Sequence, residues 1–159
     1  MRYFVQIIIL LVCVGFFNPE AGYAQIQKMS FEQLGSIETQ DDKNVLVFIR
    51  TDWCKYCHKM DNITFKNEAI VQLLTDHFYY IELNAESKTD INYRGRTFKY
   101  KPTGSNTGVH ELAEQLGTIN GKLNYPALVV LNAKNEIVFQ YDGYLNAKEL
   151  NAVLKESLQ

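Results

Sequence analysis

Two uninterrupted apolar runs stand out in the chain. Val45 to Ile49 and Ala127 to Leu131 contain no alternating polar position, which is typical of strands buried on both faces of a sheet. Phe78 to Leu83 predicts a third strand, and Ile137 to Tyr141 predicts a fourth that forms an antiparallel hairpin with the second run. The pattern therefore predicts a sheet with a buried centre.

Helical spacing of apolar residues separates these strands. Strand, helix and strand in that order after Val45 imply a right-handed parallel crossover. The whole pattern is typical of an α/β layer fold, with a central mixed sheet flanked by helices and an antiparallel end. Helices are predicted after a capping box of Ser30 and Gln33, after Trp53 through Met60 to Leu74, at His110 to Leu116, and after a capping box of Asn146 and Glu149.

The segment from Ala85 to Gly108 interrupts this pattern. It is polar, with five basic residues against two acidic ones. Apolar residues between Ile91 and Tyr100, with Arg94-Gly95 at their centre, predict a hairpin that stands out from the core as an insertion. Its basic surface is either solvated or recognises a partner.

The first residues are typical of a secretory signal peptide. Arg2 is followed by an apolar run from Tyr3 to Phe17, and Gly22 and Ala24 are the small residues before a cleavage site. An uncleaved anchor is the alternative, but the run is shorter than the ~20 residues that a spanning helix needs. We expect a signal peptide at residues 1–24, one domain at residues 25–159, and an exported protein, periplasmic or otherwise extracytoplasmic.

Composition narrows the function classes. The chain has 159 residues and 16 Lys and Arg against 18 Asp and Glu, which gives a formal net charge of −2. That balance disfavours nucleic acid as a partner, and the length predicts a single compact domain, expected to be a monomer. The three cysteines are too few for a disulfide scaffold or a four-cysteine zinc site. Cys13 is expected to leave with the signal peptide.

The two remaining cysteines form a CxxC pair where the first buried strand ends and a helix begins. Cys54 at the helix N-terminus faces free N–H groups that favour a thiolate, and Cys57 follows one turn later on the same face. Lys55 and His58 add positive charge, which Asp52 opposes if it points inward. A structural disulfide is the alternative, yet closing a four-residue loop contributes only roughly 2 kcal/mol.

Two other functions fit the same residues. Cys54 to His58 matches the CxxCH signature of covalent haem attachment, although a haem site needs a pocket and usually a second iron ligand. Cys54, Cys57 and His58 could instead carry zinc or monovalent copper, although no further Cys or paired His completes the shell. Both remain alternatives to a redox-active pair.

These residues resemble the thioredoxin superfamily, specifically its exported thioredoxin-like thiol-disulfide oxidoreductases. The stretch from Met60 to Phe65 is similar to the thioredoxin-like modules of membrane-linked disulfide reductases. The resemblance covers roughly Asn44 to Leu158 without the insertion, and it rests on Trp53-Cys54 and Cys57 after a buried strand, on Tyr125-Pro126 opening a later strand, and on Gly143 before the last helix.

The resemblance implies a thioredoxin-like fold and roles for the site residues. Cys54 would be the nucleophile, with its sulfur exposed, and Cys57 the covered resolving thiol. A cis Pro126 would face the sulfurs, and the backbone of Tyr125 would pair with the substrate chain. No bound cofactor is implied. The partners would be proteins with thiols or disulfides and a membrane-linked electron donor or acceptor, and the supporting residues that tune the acidity of Cys54 would be Trp53, Lys55, Tyr56 and His58.

The sequence departs from the family at the residues that handle protons and set the potential. Thioredoxins carry a buried acid six residues before the first cysteine, and here that residue is Phe48. Another carboxyl group or water must therefore accept the proton of the resolving thiol. The unusual Lys55-Tyr56 pair leaves the redox direction unspecified, with reduction slightly favoured. His77 is expected at a helix end and His110 at a capped surface position.

Overall fold

The computed structural model describes residues 25–37 and 43–159. The predicted signal peptide lies outside the described residues. In chain order the elements are β1 (Lys28–Met29), α1 (Phe31–Ile37), β2 (Asn44–Arg50), α2 (Lys55–Asn62), a 3-10 turn (Thr64–Lys66), α3 (Glu68–His77), β3 (Phe78–Asn84), β4 (Ile91–Tyr93), β5 (Arg96–Phe98), β6 (Tyr100–Pro102), β7 (Gly108–His110), α4 (Glu111–Gly117), β8 (Thr118–Ile119), β9 (Lys122–Leu123), β10 (Ala127–Leu131), β11 (Ile137–Asp142) and α5 (Ala147–Glu156).

A five-stranded mixed sheet forms the centre of the fold, in the order β1-β3-β2-β10-β11. β3 is parallel to both β1 and β2, whereas β10 is antiparallel to β2 and to β11. The parallel pairing of β2 with β3 and the hairpin of β10 with β11 are both confirmed. Among the described residues, no helix has the length and apolar character to cross a membrane.

Alternate residues of β2 enter two separate apolar cores. Val45, Val47 and Ile49 face a core shared with α1, β4, β5 and α4. Leu46 and Phe48 face a second core that contains Cys54, Cys57 and residues of α3 and α5. All five of these β2 residues are at most 3% exposed, so the predicted burial of this strand on both faces is confirmed.

The helices begin at the caps that the sequence indicates. Ser30 and Gln33 form reciprocal hydrogen bonds before α1, and Asn146 and Glu149 form the capping box of α5. The helical stretch predicted after Trp53 is divided, because Asn67 begins a new helix by accepting a hydrogen bond from the Ala69 N–H.

The inserted hairpin is part of the core. β4 and β5 pair through the predicted Arg94-Gly95 turn, in which both residues have positive φ. Tyr93 and Phe98 are 8% and 6% exposed, and the Tyr93 ring contacts the Phe31 ring edge to face at 5.1 Å. The prediction that this hairpin stands out from the core is therefore wrong. Its apolar residues Tyr93 and Phe98 belong to the same apolar core as Phe31 and Leu34 of α1.

The histidine that begins α4 is buried. His77 ends α3 as predicted, but His110 is fully buried and its Nδ1 accepts a hydrogen bond from the Leu112 N–H at 3.2 Å. The capping role of His110 is confirmed, whereas its surface position is wrong, because β7 carries this residue under the loop that follows β3. Burial lowers the pKa of the His110 imidazole.

Candidate functional site

The cysteine pair lies where β2 passes into α2. Cys54 is the N-cap of α2, and its Sγ accepts a hydrogen bond from the Cys57 N–H at 3.1 Å. The two sulfurs are joined in a disulfide across a Cα–Cα distance of 5.2 Å. Strand β2 therefore brings Cys54 to the helix N-terminus, where the free N–H groups stabilise negative charge on sulfur.

Both cysteines are well covered. Cys57 is fully buried and Cys54 is 4% exposed. The order of accessibility is the expected one, but the expectation that Cys54 presents an exposed sulfur is wrong for this disulfide form, in which both residues belong to the apolar core under α2.

Aromatic residues surround the disulfide at the surface. Trp53 and Tyr56 are 65% and 61% exposed. The Trp53 ring contacts Tyr125 edge to face at 5.9 Å, and the Tyr56 ring lies 6.2 Å from that of Tyr144. Lys59 adds its ammonium 4.4 Å from the centre of the Tyr144 ring. Two aromatic pairs thus border the cysteines. Trp53, Tyr56 and Tyr125 were predicted from the sequence as site residues, whereas Tyr144 was not.

A carboxylate from the start of the insertion holds Trp53. The indole Nε1 donates to both carboxylate oxygens of Glu86 at 3.1 Å. Burial, with the nearby charge of Glu86, raises the pKa of the Tyr125 hydroxyl to about 12, so that ring stays neutral. The role of Glu86 was not predicted from the sequence. This residue is 33 positions from Trp53, and nothing near it in the chain indicates the contact.

The Tyr125-Pro126 loop contacts the cysteine motif, because the Tyr125 ring packs on the ring of Trp53, the residue before Cys54. The peptide bond between these residues is cis. Pro126 is buried, and its carbonyl oxygen accepts a hydrogen bond from the Gly143 N–H at 2.8 Å. The structure therefore brings together the three regions that carried the resemblance: the cysteine motif, the proline loop and the glycine before α5.

His58 contacts the backbone of Asp52, whereas the Asp52 carboxylate pairs with Arg50. The His58 Nε2 lies 2.7 Å from the Asp52 carbonyl oxygen, so this nitrogen carries the proton. The Asp52 carboxylate is exposed, lies 3.3 Å from an Arg50 nitrogen and accepts a hydrogen bond from Asn84. Asp52 is thus paired with Arg50, which weakens its opposition to the positive charges of Lys55 and His58.

A group of five charged residues, here called the Arg50 cluster, lies at the end of β2 on the α2 side of the sheet. The Arg50 guanidinium is 3.1 Å from Glu82 and 3.8 Å from Asp61. Lys28 pairs with Glu82, and Asp52 completes the cluster. The cluster was not predicted from the sequence, because its members come from four elements and the β2–α2 loop. Its one local signal is that Asp61 lies four residues after Cys57.

Phe48 occupies the position where thioredoxins carry an acid. The ring is fully buried and packs edge to face on Phe65 at 4.9 Å. It belongs to the same apolar core as both cysteines. The immediate surroundings of the disulfide on the sheet side are therefore apolar.

The described part of the chain contains no group of three or more His, Cys, Asp and Glu residues arranged to hold a metal ion. A metal-carrying function would have to rest on Cys54, Cys57 and His58, and the Nε2 of His58 already bonds to the backbone. The geometry instead fits thiol-disulfide exchange, which needs a reversible disulfide with one sulfur at a helix N-terminus.

Several solved structures share this fold. An oxidoreductase named DsbH is 18% identical, with 87% of this chain and 88% of that chain covered and a TM-score of 0.58. A thioredoxin from Thermus thermophilus is 17% identical, with 84% and 88% covered and a TM-score of 0.60. A thioredoxin-fold protein from Helicobacter pylori is 17% identical, with 85% and 78% covered and a TM-score of 0.53.

A curated relative matches only a segment. An uncharacterized protein of Caenorhabditis elegans is 32% identical over 53 residues, which is 32% of this chain and 7% of that protein. The family comparison is broader, because the model of the thioredoxin-like domain matches residues 31–158. The match covers α1, the cysteine pair, the proline loop and α5. The chain therefore belongs to the thioredoxin-like family.

Proposed function

We propose that the protein is an exported thiol-disulfide oxidoreductase that exchanges disulfides with protein substrates, with the reductive direction slightly favoured. The observation that carries this proposal is the Cys54–Cys57 disulfide at the N-terminus of α2, with Cys57 fully buried. Because Cys54 is the helix N-cap and Cys57 is the less accessible of the two cysteines, the two thiols take different parts in the exchange.

In the reductive direction, the Cys54 thiolate attacks a substrate disulfide. A Cys54–substrate bond forms, and one substrate sulfur leaves as a thiolate. Cys57 then loses its proton and attacks the Cys54 sulfur, so that the enzyme disulfide forms and the second substrate sulfur leaves. Substrate disulfide is reduced to two thiols while the enzyme dithiol is oxidised.

The substrate chain would bind along the Tyr125-Pro126 loop by backbone pairing. The two aromatic pairs beside the disulfide support this placement, since aromatic side chains give large contact area at low entropic cost. The oxidised enzyme requires re-reduction, for which we propose a membrane-linked thiol-disulfide donor in an extracytoplasmic compartment.

Serine variants of the two cysteines test the proposal. In cells, Cys57→Ser should accumulate mixed disulfides with other proteins, because the resolving thiol is absent. Cys54→Ser should trap few partners and lose insulin-reducing activity. Equal trapping by both variants, or full activity in both, would contradict the assigned roles and favour a structural or metal-binding pair.

The reduction potential tests the direction. Equilibration with glutathione redox buffers, read by alkylation and mass, should place the couple nearer to thioredoxin, at about −270 mV, than to a strong oxidant such as DsbA, at about −120 mV. A value near the oxidant would reverse the proposed direction while leaving the exchange activity in place.

A further inference from the structure

The proposed exchange leaves one proton without an acceptor. Cys57 is fully buried in an apolar core, and such surroundings favour the neutral thiol over the thiolate. Resolution of the mixed disulfide requires the thiolate, so a base must take this proton. Phe48 has no group that can accept it.

Asp61 is the carboxyl group that α2 places next to Cys57. Residues four apart on a helix lie on the same face, about 5 to 6 Å apart between their Cβ atoms. Asp61 follows Cys57 by four positions within Lys55–Asn62. Its side chain is 28% exposed, so solvent reaches this carboxyl group.

The charges around Asp61 are those of the Arg50 cluster. Arg50 on β2 lies 3.8 Å away, Glu82 on β3 is held by Arg50, and Lys28 on β1 pairs with Glu82. His58 on α2 contributes a weaker positive field. The pKa of the Asp61 carboxyl is raised by partial burial and by the negative charge of Glu82, with Arg50, Lys28 and His58 opposing.

Water can reach this carboxyl group from outside. Asp61 lines an open groove of about 1090 Å³ between the N-terminal segment, α2, α3 and β3. His58, Asn62 and Tyr80 also line this groove, and its other charged lining residues are Lys28, Lys66, Glu68 and Asp76. A proton taken from Cys57 can therefore pass through Asp61 to bulk solvent.

We propose that Asp61 accepts the proton of Cys57 when this thiol resolves the mixed disulfide. The proposal rests on the proposed function. In the step, the Cys57 S–H bond breaks and its proton passes to the Asp61 carboxylate. The Cys57–Cys54 bond forms, the Cys54–substrate bond breaks, and the departing substrate thiolate takes up a proton from solvent. Because the electron pair moves between sulfurs only, no further oxidant or reductant is needed.

Rapid mixing of the reduced protein with a fluorescent peptide disulfide tests this assignment. The first phase reports attack by Cys54, and the second reports resolution by Cys57. Asp61→Asn should leave the first phase unchanged and slow the second roughly 100-fold near neutral pH, the lower end of general-base contributions. The second phase of this variant should then rise about tenfold per pH unit, since hydroxide replaces the carboxylate.

Matched variants separate proton transfer from a structural effect. Asp61→Glu should restore most of the second-phase rate, and Asp76→Asn, which removes the same charge from another residue that lines the groove, should leave both phases unchanged. A wild-type second phase and pH profile in Asp61→Asn, or an equal loss in Asp76→Asn, would overturn the assignment. If the wild-type protein forms no mixed disulfide at all, the proposed function itself fails.

Discussion

His58 lies one turn after Cys54 in α2. Its Nε2 is fixed to the Asp52 carbonyl oxygen, which keeps the imidazole beside the first turn of α2. His58→Ala should slow alkylation of reduced Cys54 by iodoacetamide, because it removes a side chain that can place positive charge near this thiolate. We expect an effect of up to about fivefold, since an exposed charge contributes at most about 1 kcal/mol.

His77→Ala is the matched control for this measurement, because it removes an exposed histidine at the end of α3. Its alkylation rate should equal that of the wild-type protein. An unchanged rate in His58→Ala would show that the imidazole contributes no field at the sulfur.

Single residues also show what could be predicted from sequence. Cys54 and Cys57 were recognisable because their chemistry depends on a spacing of three within one helix. Glu86 and Glu82 were not, because each is brought to the site by a strand or loop about 30 residues away, and nothing near either residue distinguishes it from a solvated carboxylate.

At the scale of elements, the inserted hairpin contributes to stability. Phe98→Ala should lower the free energy of unfolding by about 3 to 5 kcal/mol, the usual cost of deleting a buried phenyl ring. Lys88→Ala, an exposed position in the same insertion, should change it by less than about 0.5 kcal/mol. Urea unfolding followed by circular dichroism provides both values, and a small loss in Phe98→Ala would mean that the hairpin stands apart from the core.

The cap of α4 makes stability depend on pH. Because burial lowers the pKa of His110 in the folded protein, the unfolded chain binds a proton more readily. The stabilisation that neutral His110 provides is therefore present above the unfolded pKa of about 6.5, and it is lost as the pH falls below this pKa. Asn also caps helices well, so His110→Asn should lose less stability than the wild-type protein between pH 7 and pH 5, as measured by thermal melting. An identical loss in the two proteins would show that His110 is protonated equally in both states.

The elements differ in how far their sequence determined them. Val45 to Ile49 and the capping box of Asn146 carry their own signals, an apolar run and a local hydrogen-bond pattern, and both were predicted correctly. The β4–β5 hairpin was placed correctly by its Arg94-Gly95 turn, but its burial depends on Phe31, which lies about 60 residues earlier. A contact between residues that far apart does not change the spacing of apolar residues in either segment, so it could not be predicted from the sequence.

At the scale of the whole molecule, the proposed export would place the chemistry in an extracytoplasmic compartment. Protein purified from its native compartment should begin at Gln25, because Gly22 and Ala24 precede the expected cleavage site. Intact mass spectrometry measures this directly. A chain that still begins at Met1, or one with lipid on Cys13, would contradict the prediction and place the protein on a membrane.

The central sheet separates the apolar core that holds the redox site from the core that holds the insertion. The cysteines lie in one core and the inserted hairpin in the other, and the core residues of β2 and β10 that separate them are at most 3% exposed. Tyr125 packs against both cores, and the bond between Trp53 and Glu86 joins the insertion to the active-site rim. An engineer who grafts a new recognition loop onto the hairpin would therefore need to preserve both of these connections to the redox site.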